Sequence, residues 1–95
     1  MGLFELFSSK KKFKDGSVMW PSGRERFSYV DSDGQRIDFE VLYTKPTRGA
    51  ENQLISSSIS KFRDGRPIPP ELKAEIIAKC VEYFSDKRQV ARLIR

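Results

Sequence analysis

The stretch Glu25–Thr44, ERFSYVDSDGQRIDFEVLYT, decides the reading of the fold. Glu25–Val30 alternates, with Phe27 and Tyr29 on one side, and Arg36–Thr44 places Ile37, Phe39, Val41 and Tyr43 on one side with Asp38 and Glu40 on the other. Side chains on a strand alternate between faces, so both segments read as strands with one core face and one solvated face. Asp33-Gly34 between them supplies a residue that tolerates positive φ, which a tight hairpin turn needs. The pair predicts an antiparallel sheet covered on one side only.

Upstream, Asp15-Gly16 precedes Ser17-Val-Met-Trp20 and Pro21-Ser-Gly23 follows, which predicts a short first strand between two turns. Downstream, residues 45–52 form a polar connection and Gln53–Ile59 predicts a fourth strand. Pro67-Ile-Pro-Pro70 then marks a loop leading into a helix. Proline at a first helical position costs no hydrogen bond, and Glu71 and Glu75 suit the positive end of the helix dipole. Leu72, Ile76, Ile77, Cys80, Tyr83 and Phe84 recur at helical spacing as an apolar stripe. Ser85-Asp86 either ends that helix or caps a second one carrying Val90, Leu93 and Ile94. The expected fold is therefore α+β: a small antiparallel sheet of three or four strands, with one C-terminal helix, or two, packed on one face.

With 95 residues there is room for one core, assigned to residues 15–95, preceded by a short apolar and basic segment at 1–14. The chain has a net charge of +5, with both ends positive and residues 15–60 mildly acidic. Histidine is absent and Cys80 is the single cysteine, so most zinc sites, imidazole acid–base chemistry and Cys–His nucleophiles are unavailable, which leaves a carboxylate-only metal site or carboxylate catalysis as the formal alternatives. No cofactor, no metal and no enzymatic activity are expected. No run approaches the roughly 20 apolar residues of a membrane span. The lysines of the N-terminal segment follow its apolar part, unlike a secretory signal, and Leu6 stands where a myristoylation motif has Ser or Thr. A reduced lone thiol suits a cytoplasmic protein.

Four groups of residues bear on partners. Leu3, Phe4, Leu6 and Phe7 beside Lys10, Lys11, Lys12 and Lys14 suit peripheral contact with an anionic membrane, or docking on the chain's own domain. Lys61, Arg63, Arg66, Lys87, Arg88 and Arg92, with Arg95, suit phosphates, although Asp64, Glu71, Glu75, Glu82 and Asp86 alternate with them and no nucleic-acid motif accompanies them. Asp31, Asp33, Asp38 and Glu40 form an acidic group around the hairpin that suits a basic protein, such as a cationic toxin domain. The run Asp31-Ser-Asp-Gly-Gln lacks the third carboxylate and closing Glu of a calcium loop, and turn chemistry accounts for it. Trp20 is either core or an exposed anchor beside that acidic group.

Ser58-Ile-Ser-Lys-Phe62, Gly65-Arg-Pro-Ile-Pro-Pro70 and Glu71-Leu-Lys-Ala-Glu-Ile-Ile77 resemble a pattern in small immunity proteins of bacterial polymorphic toxin systems: a short strand, an aromatic followed by a Pro-containing loop, and an Ile-rich helix. The likeness covers about residues 55–84. It implies a small cytoplasmic α+β protein that neutralises a toxin by binding, with no chemistry of its own. The expected function is a non-catalytic protein-interaction module; a basic nucleic-acid-binding accessory protein and a peripheral membrane adaptor are the alternatives.

Overall fold

The computed structural model describes residues 10–42 and 51–94. The expectations for residues 1–9, for Tyr43, Thr44 and most of the polar connection, and for Arg95 lie outside them. Six strands form one sheet in chain order: β1 (Lys11–Lys12), β2 (Val18–Gly23), β3 (Arg26–Val30), β4 (Arg36–Leu42), β5 (Glu51–Ile55) and β6 (Val90–Ile94). Helix α1 (Pro70–Asp86) fills one face. The first five strands run antiparallel to their neighbours, whereas β6 lies parallel to β5.

The central hairpin follows the alternation. Phe27 pairs with Phe39 and Tyr29 with Ile37, and all four are buried with Val41. Gly34 sits at φ 85°, and its turn is closed by Asp31, whose carboxylate accepts the backbone N–H groups of Asp33 at 3.0 Å and Gln35 at 2.8 Å. Strand β4 bends: residues 36–40 pair with β3, while Val41 and Leu42 pair with β5. This curls the sheet around the helix. Strand β2 runs through Pro21 to Gly23 with a register shift, so the turn into β3 falls at Arg24-Glu25 instead of Pro21–Gly23.

The stripe on α1 packs as its spacing predicts. Ile76, Cys80, Tyr83 and Phe84 are buried, and Leu72 and Ile77 lean on the same core. Phe27 is fully buried among rings, 5.1 Å from Tyr83 edge-on, 5.3 Å from Phe84 and 5.9 Å from Phe39. Met19 from β2, Leu54 from β5, and Phe13 and Ile59 from the first turn and the loop after β5 complete the core.

Three expectations are corrected. The sheet has six strands and is mixed, because the chain leaves β5, crosses through α1 and returns alongside β5. The fourth predicted strand ends at Ile55 and Ser56–Ser58 form a 3-10 turn. There the Ser58 hydroxyl donates to the Ile55 carbonyl at 2.6 Å and accepts the Glu40 N–H at 2.8 Å, a side-chain bond that replaces the ladder. The segment carrying Val90, Leu93 and Ile94 is a strand and not a second helix.

The reason lies in the end of α1. Arg88 takes φ 58°, the Gln89 N–H donates to the Phe84 carbonyl at 2.9 Å, and the Arg88 N–H donates to Ser85 at 2.9 Å. These are the two bonds of a Schellman motif, which turns the chain out of the helix. The usual glycine at the left-handed position is replaced by arginine, so the stop was hidden in the sequence. Buried Asn52 then ties β5 to the start of β6, its Nδ2 donating to Gln89 Oε1 at 3.0 Å.

Two consequences are measurable by urea unfolding. Phe27→Ala removes the ring joining sheet to helix and is expected to cost about 3–5 kcal/mol. Arg88→Gly relieves a left-handed residue and is expected to stabilise by about 1 kcal/mol. An unchanged midpoint for the first, or a loss for the second, contradicts these assignments.

Candidate binding surfaces

The face of the sheet opposite α1 carries the residues that alternate with the core. Trp20, Ser28 and Asp38 stand in one row across β2, β3 and β4. Trp20 lies outside the core and half-buried, with Lys10 Nζ 4.8 Å and the Arg36 guanidinium 5.3 Å from its ring centroid. Cations at this range are attracted by the ring's electron-rich face. Ser28 is fully buried beneath this layer, donating from Oγ to Asp38 Oδ1 at 2.5 Å and accepting Arg36 Nη2 at 3.1 Å.

Asp38 is therefore not a bare charge. Arg36 Nε reaches Oδ1 at 3.0 Å and Arg63 Nε stands 3.9 Å from Oδ2. Burial opposes its ionisation, but the Ser28 and Arg36 hydrogen bonds outweigh burial and hold the carboxyl below its ordinary value. Glu40, on the same side of β4, is exposed and stands opposite Arg26. Asp31 is half-buried and occupied in capping the turn, and Asp33 is exposed beside it. Trp20, Asp38 and Glu40 thus share one face, with Asp31 and Asp33 at the turn bordering it. Lys10, Arg26, Arg36 and Arg63 stand among them, so this face is mixed in charge.

The basic residues of the last third divide between two places. Arg63 and Arg66 belong to a loop held against β4: the Arg63 N–H donates to the Arg36 carbonyl at 2.8 Å and Arg66 Nη2 to Gln35 Oε1 at 2.6 Å. Lys61 bridges to Pro67 in the same loop, and Arg66 also pairs with Asp64 at 2.8 Å. Lys87 and Arg88 form the turn after α1, with Lys87 Nζ 5.1 Å from the Tyr83 ring. Arg92 on β6 lies 3.4 Å from Glu51.

A third polar group joins the helix to the first turn. Lys79 Nζ donates to Asp15 Oδ2 at 2.5 Å, Ser17 Oγ at 2.8 Å and the Tyr29 hydroxyl at 2.9 Å. Lys11 reaches Asp86 and Glu82 on the same flank of α1. Burial works against the Lys79 charge, yet Asp15 and Tyr29 hold its pKa above the ordinary value. In turn, the hydrogen bonds of Lys79 and Ser17 hold the Asp15 carboxyl far below the usual 3.8. Ser17 and Tyr29 are buried, so the group is a tie within the fold and not an open site.

The remaining chemistry is sparse. Burial pushes the Cys80 thiol up to about 12, which removes it as a nucleophile at neutral pH. Among the described residues no cluster of three or more Cys, Asp or Glu is placed to hold a metal ion, and no helix is long and apolar enough to cross a membrane.

The surface that sequence reasoning missed is the edge at β6. Val81, Val90 and Leu93 are the large hydrophobics exposed among the described residues, at 46%, 55% and 53%. Leu93 pairs with core Leu54 and so points to the helix side, while Val90 points to the other. At 100° per residue, Val81 lies on the flank of α1 turned away from Lys79, which faces Asp15. The signal was the run VARLI at 90–94, whose branched residues suit a strand as well as a helical stripe.

The Asp15–Lys79 pair sets an acid dependence. A carboxyl whose folded pKa is depressed contributes stability above its unfolded pKa, and that contribution is lost as pH falls through the folded value. Wild-type stability is expected to fall below about pH 4, and Asp15→Asn is expected to be less stable at neutral pH with a flatter acid limb. Parallel pH–stability curves for the two proteins would contradict this. Scans of family models, curated proteins and solved structures return no match to this chain.

Proposed function

We propose that this chain is a non-catalytic protein-interaction module. The observation that supports the reading is the exposure of Val90 and Leu93, one on each face of edge strand β6. Apolar groups left exposed together at a sheet edge are a mark of protein contact. The sheet face bearing Trp20, Asp38 and Glu40 offers a second recognition surface, with the aromatic as anchor and charges of both signs around it. An immunity-type inhibitor that neutralises a toxin domain by binding, the role implied by the resemblance at 55–84, is one form such a module takes. Asp33 and Glu40 are then the charges that steer a basic partner, since Asp38 is matched by Arg36 and Arg63.

The nucleic-acid alternative has less support. Arg63, Arg66 and Arg92 have carboxylate neighbours, as does Lys11, so each must exchange a partner before it meets a phosphate. Duplex and single-stranded nucleic acid are expected to bind weakly and to dissociate between about 50 and 200 mM salt, as contacts to phosphate alone do. The test is affinity capture from nuclease-treated extract of the source cells, followed by titration of the identified partner. An equimolar protein complex that survives nuclease supports the reading. Recovery of nucleic acid alone, bound sequence-selectively at high salt, overturns it.

A further inference from the structure

We propose that the outer edge of β6 is a strand-addition site for an acidic, extended segment of another protein, an inference that rests on reading the chain as an interaction module. β6 closes the sheet, and among the described residues no strand pairs with its outer side. An edge strand presents alternate N–H and C=O groups that remain unpaired, which is a template for one more strand.

Folded proteins usually blunt such edges with charge or brevity, and the other end of this sheet does so. There β1 is two residues long, both lysines, with Lys11 fastened to α1 by Asp86 and Glu82. β6 is less protected, with Arg92 as its one charged residue among those described. It runs five residues, and Val90 and Leu93 are both more than half exposed, on opposite faces. A strand added here gains ladder hydrogen bonds and covers part of the apolar surface of Val90 and Leu93.

Charge selects the occupant. Lys87, Arg88 and Arg92 lie on or just before the strand, and Glu51 lies beside Arg92. Asp86, the nearest acidic residue in sequence, is engaged by Lys11. The edge is therefore basic. A second copy docking β6 to β6 antiparallel would bring this positive charge against its own image, whereas a strand alternating acidic and apolar side chains would meet Arg92 with its acidic face and Leu93 with its apolar face. The geometry and charge favour a foreign acidic strand over self-association.

The probes are fluorescein-labelled, end-blocked heptapeptides on the full chain, read by fluorescence anisotropy with backbone amide NMR. One peptide alternates Glu and Val, one alternates Lys and Val, and one carries Pro at the centre of the Glu/Val pattern. The Glu/Val peptide is expected to bind, to shift β6 amides and to weaken as salt rises; the other two are expected not to bind. Leu93→Lys is expected to weaken binding by at least about tenfold. Arg92→Glu, which gives up the exposed pair with Glu51 and whose fold is checked by urea unfolding, is expected to shift the preference toward the Lys/Val peptide. Equal binding of both charged peptides, amide shifts elsewhere, or a wild-type dimer in sedimentation velocity that Leu93→Lys dissolves would overturn the proposal. A captured protein partner that binds wild type and Leu93→Lys alike would overturn the edge site and leave the module reading standing. Failure to capture any protein is failure of the module reading itself.

Discussion

The burial of Phe27 between sheet and helix is the contact on which the rest of the structure depends. Its ring meets Phe39 across the hairpin and Tyr83 and Phe84 from the helix, joining segments more than 40 residues apart in the chain. A domain of this size has little core to spare, and large rings supply much buried area from few residues. The bend of β4 follows from the same contact. By pairing with β3 along one half and β5 at its end, β4 curls the sheet so that its strands reach the helix that covers Phe27.

Polar groups then fix what the rings alone leave free. Aromatic packing tolerates rotation of the helix about its axis, whereas Lys79 in the Asp15–Ser17–Tyr29 group and Lys11 on Asp86 and Glu82 do not. Both lysines approach the same flank of α1, so the helix is held against the β1–β2 end of the sheet. On the opposite flank, with Val81, no ion pair forms among the described residues. Order on one side and exposed apolar surface on the other are two results of one arrangement.

The charged face of the sheet shows why counting carboxylates is a poor guide to electrostatic surface. Asp31 spends Oδ1 on the turn, and Asp38 spends Oδ1 on Ser28 and Arg36. What remains is a mixed layer around Trp20, in which the burial of Ser28 and the two cations near the indole hold the surface in a set arrangement. Mixed, ordered charge of this kind favours discrimination among protein partners over general attraction to polyanions.

By itself the sequence determined the central hairpin, its Gly34 turn, the helix from Pro70 and the face each buries. Those features depend on side-chain period and on residues close in the chain, so local pattern carries them. The hydroxyl of Ser58 that ends β5, the parallel return of β6 and the edge it leaves were not legible, because each is decided by partners far away in sequence. Arg88 in a left-handed conformation stops α1 without the glycine that would announce it, and VARLI becomes a strand because Asn52 and the β5 ladder meet it there. The candidate site divides the same way. Asp38 and Glu40 could be placed on one strand face by alternation, but only the tertiary structure set Trp20 on that face, brought Arg36 and Arg63 onto Asp38 and left Val90 and Leu93 exposed, since neutralisation and burial are set by what folds against a residue.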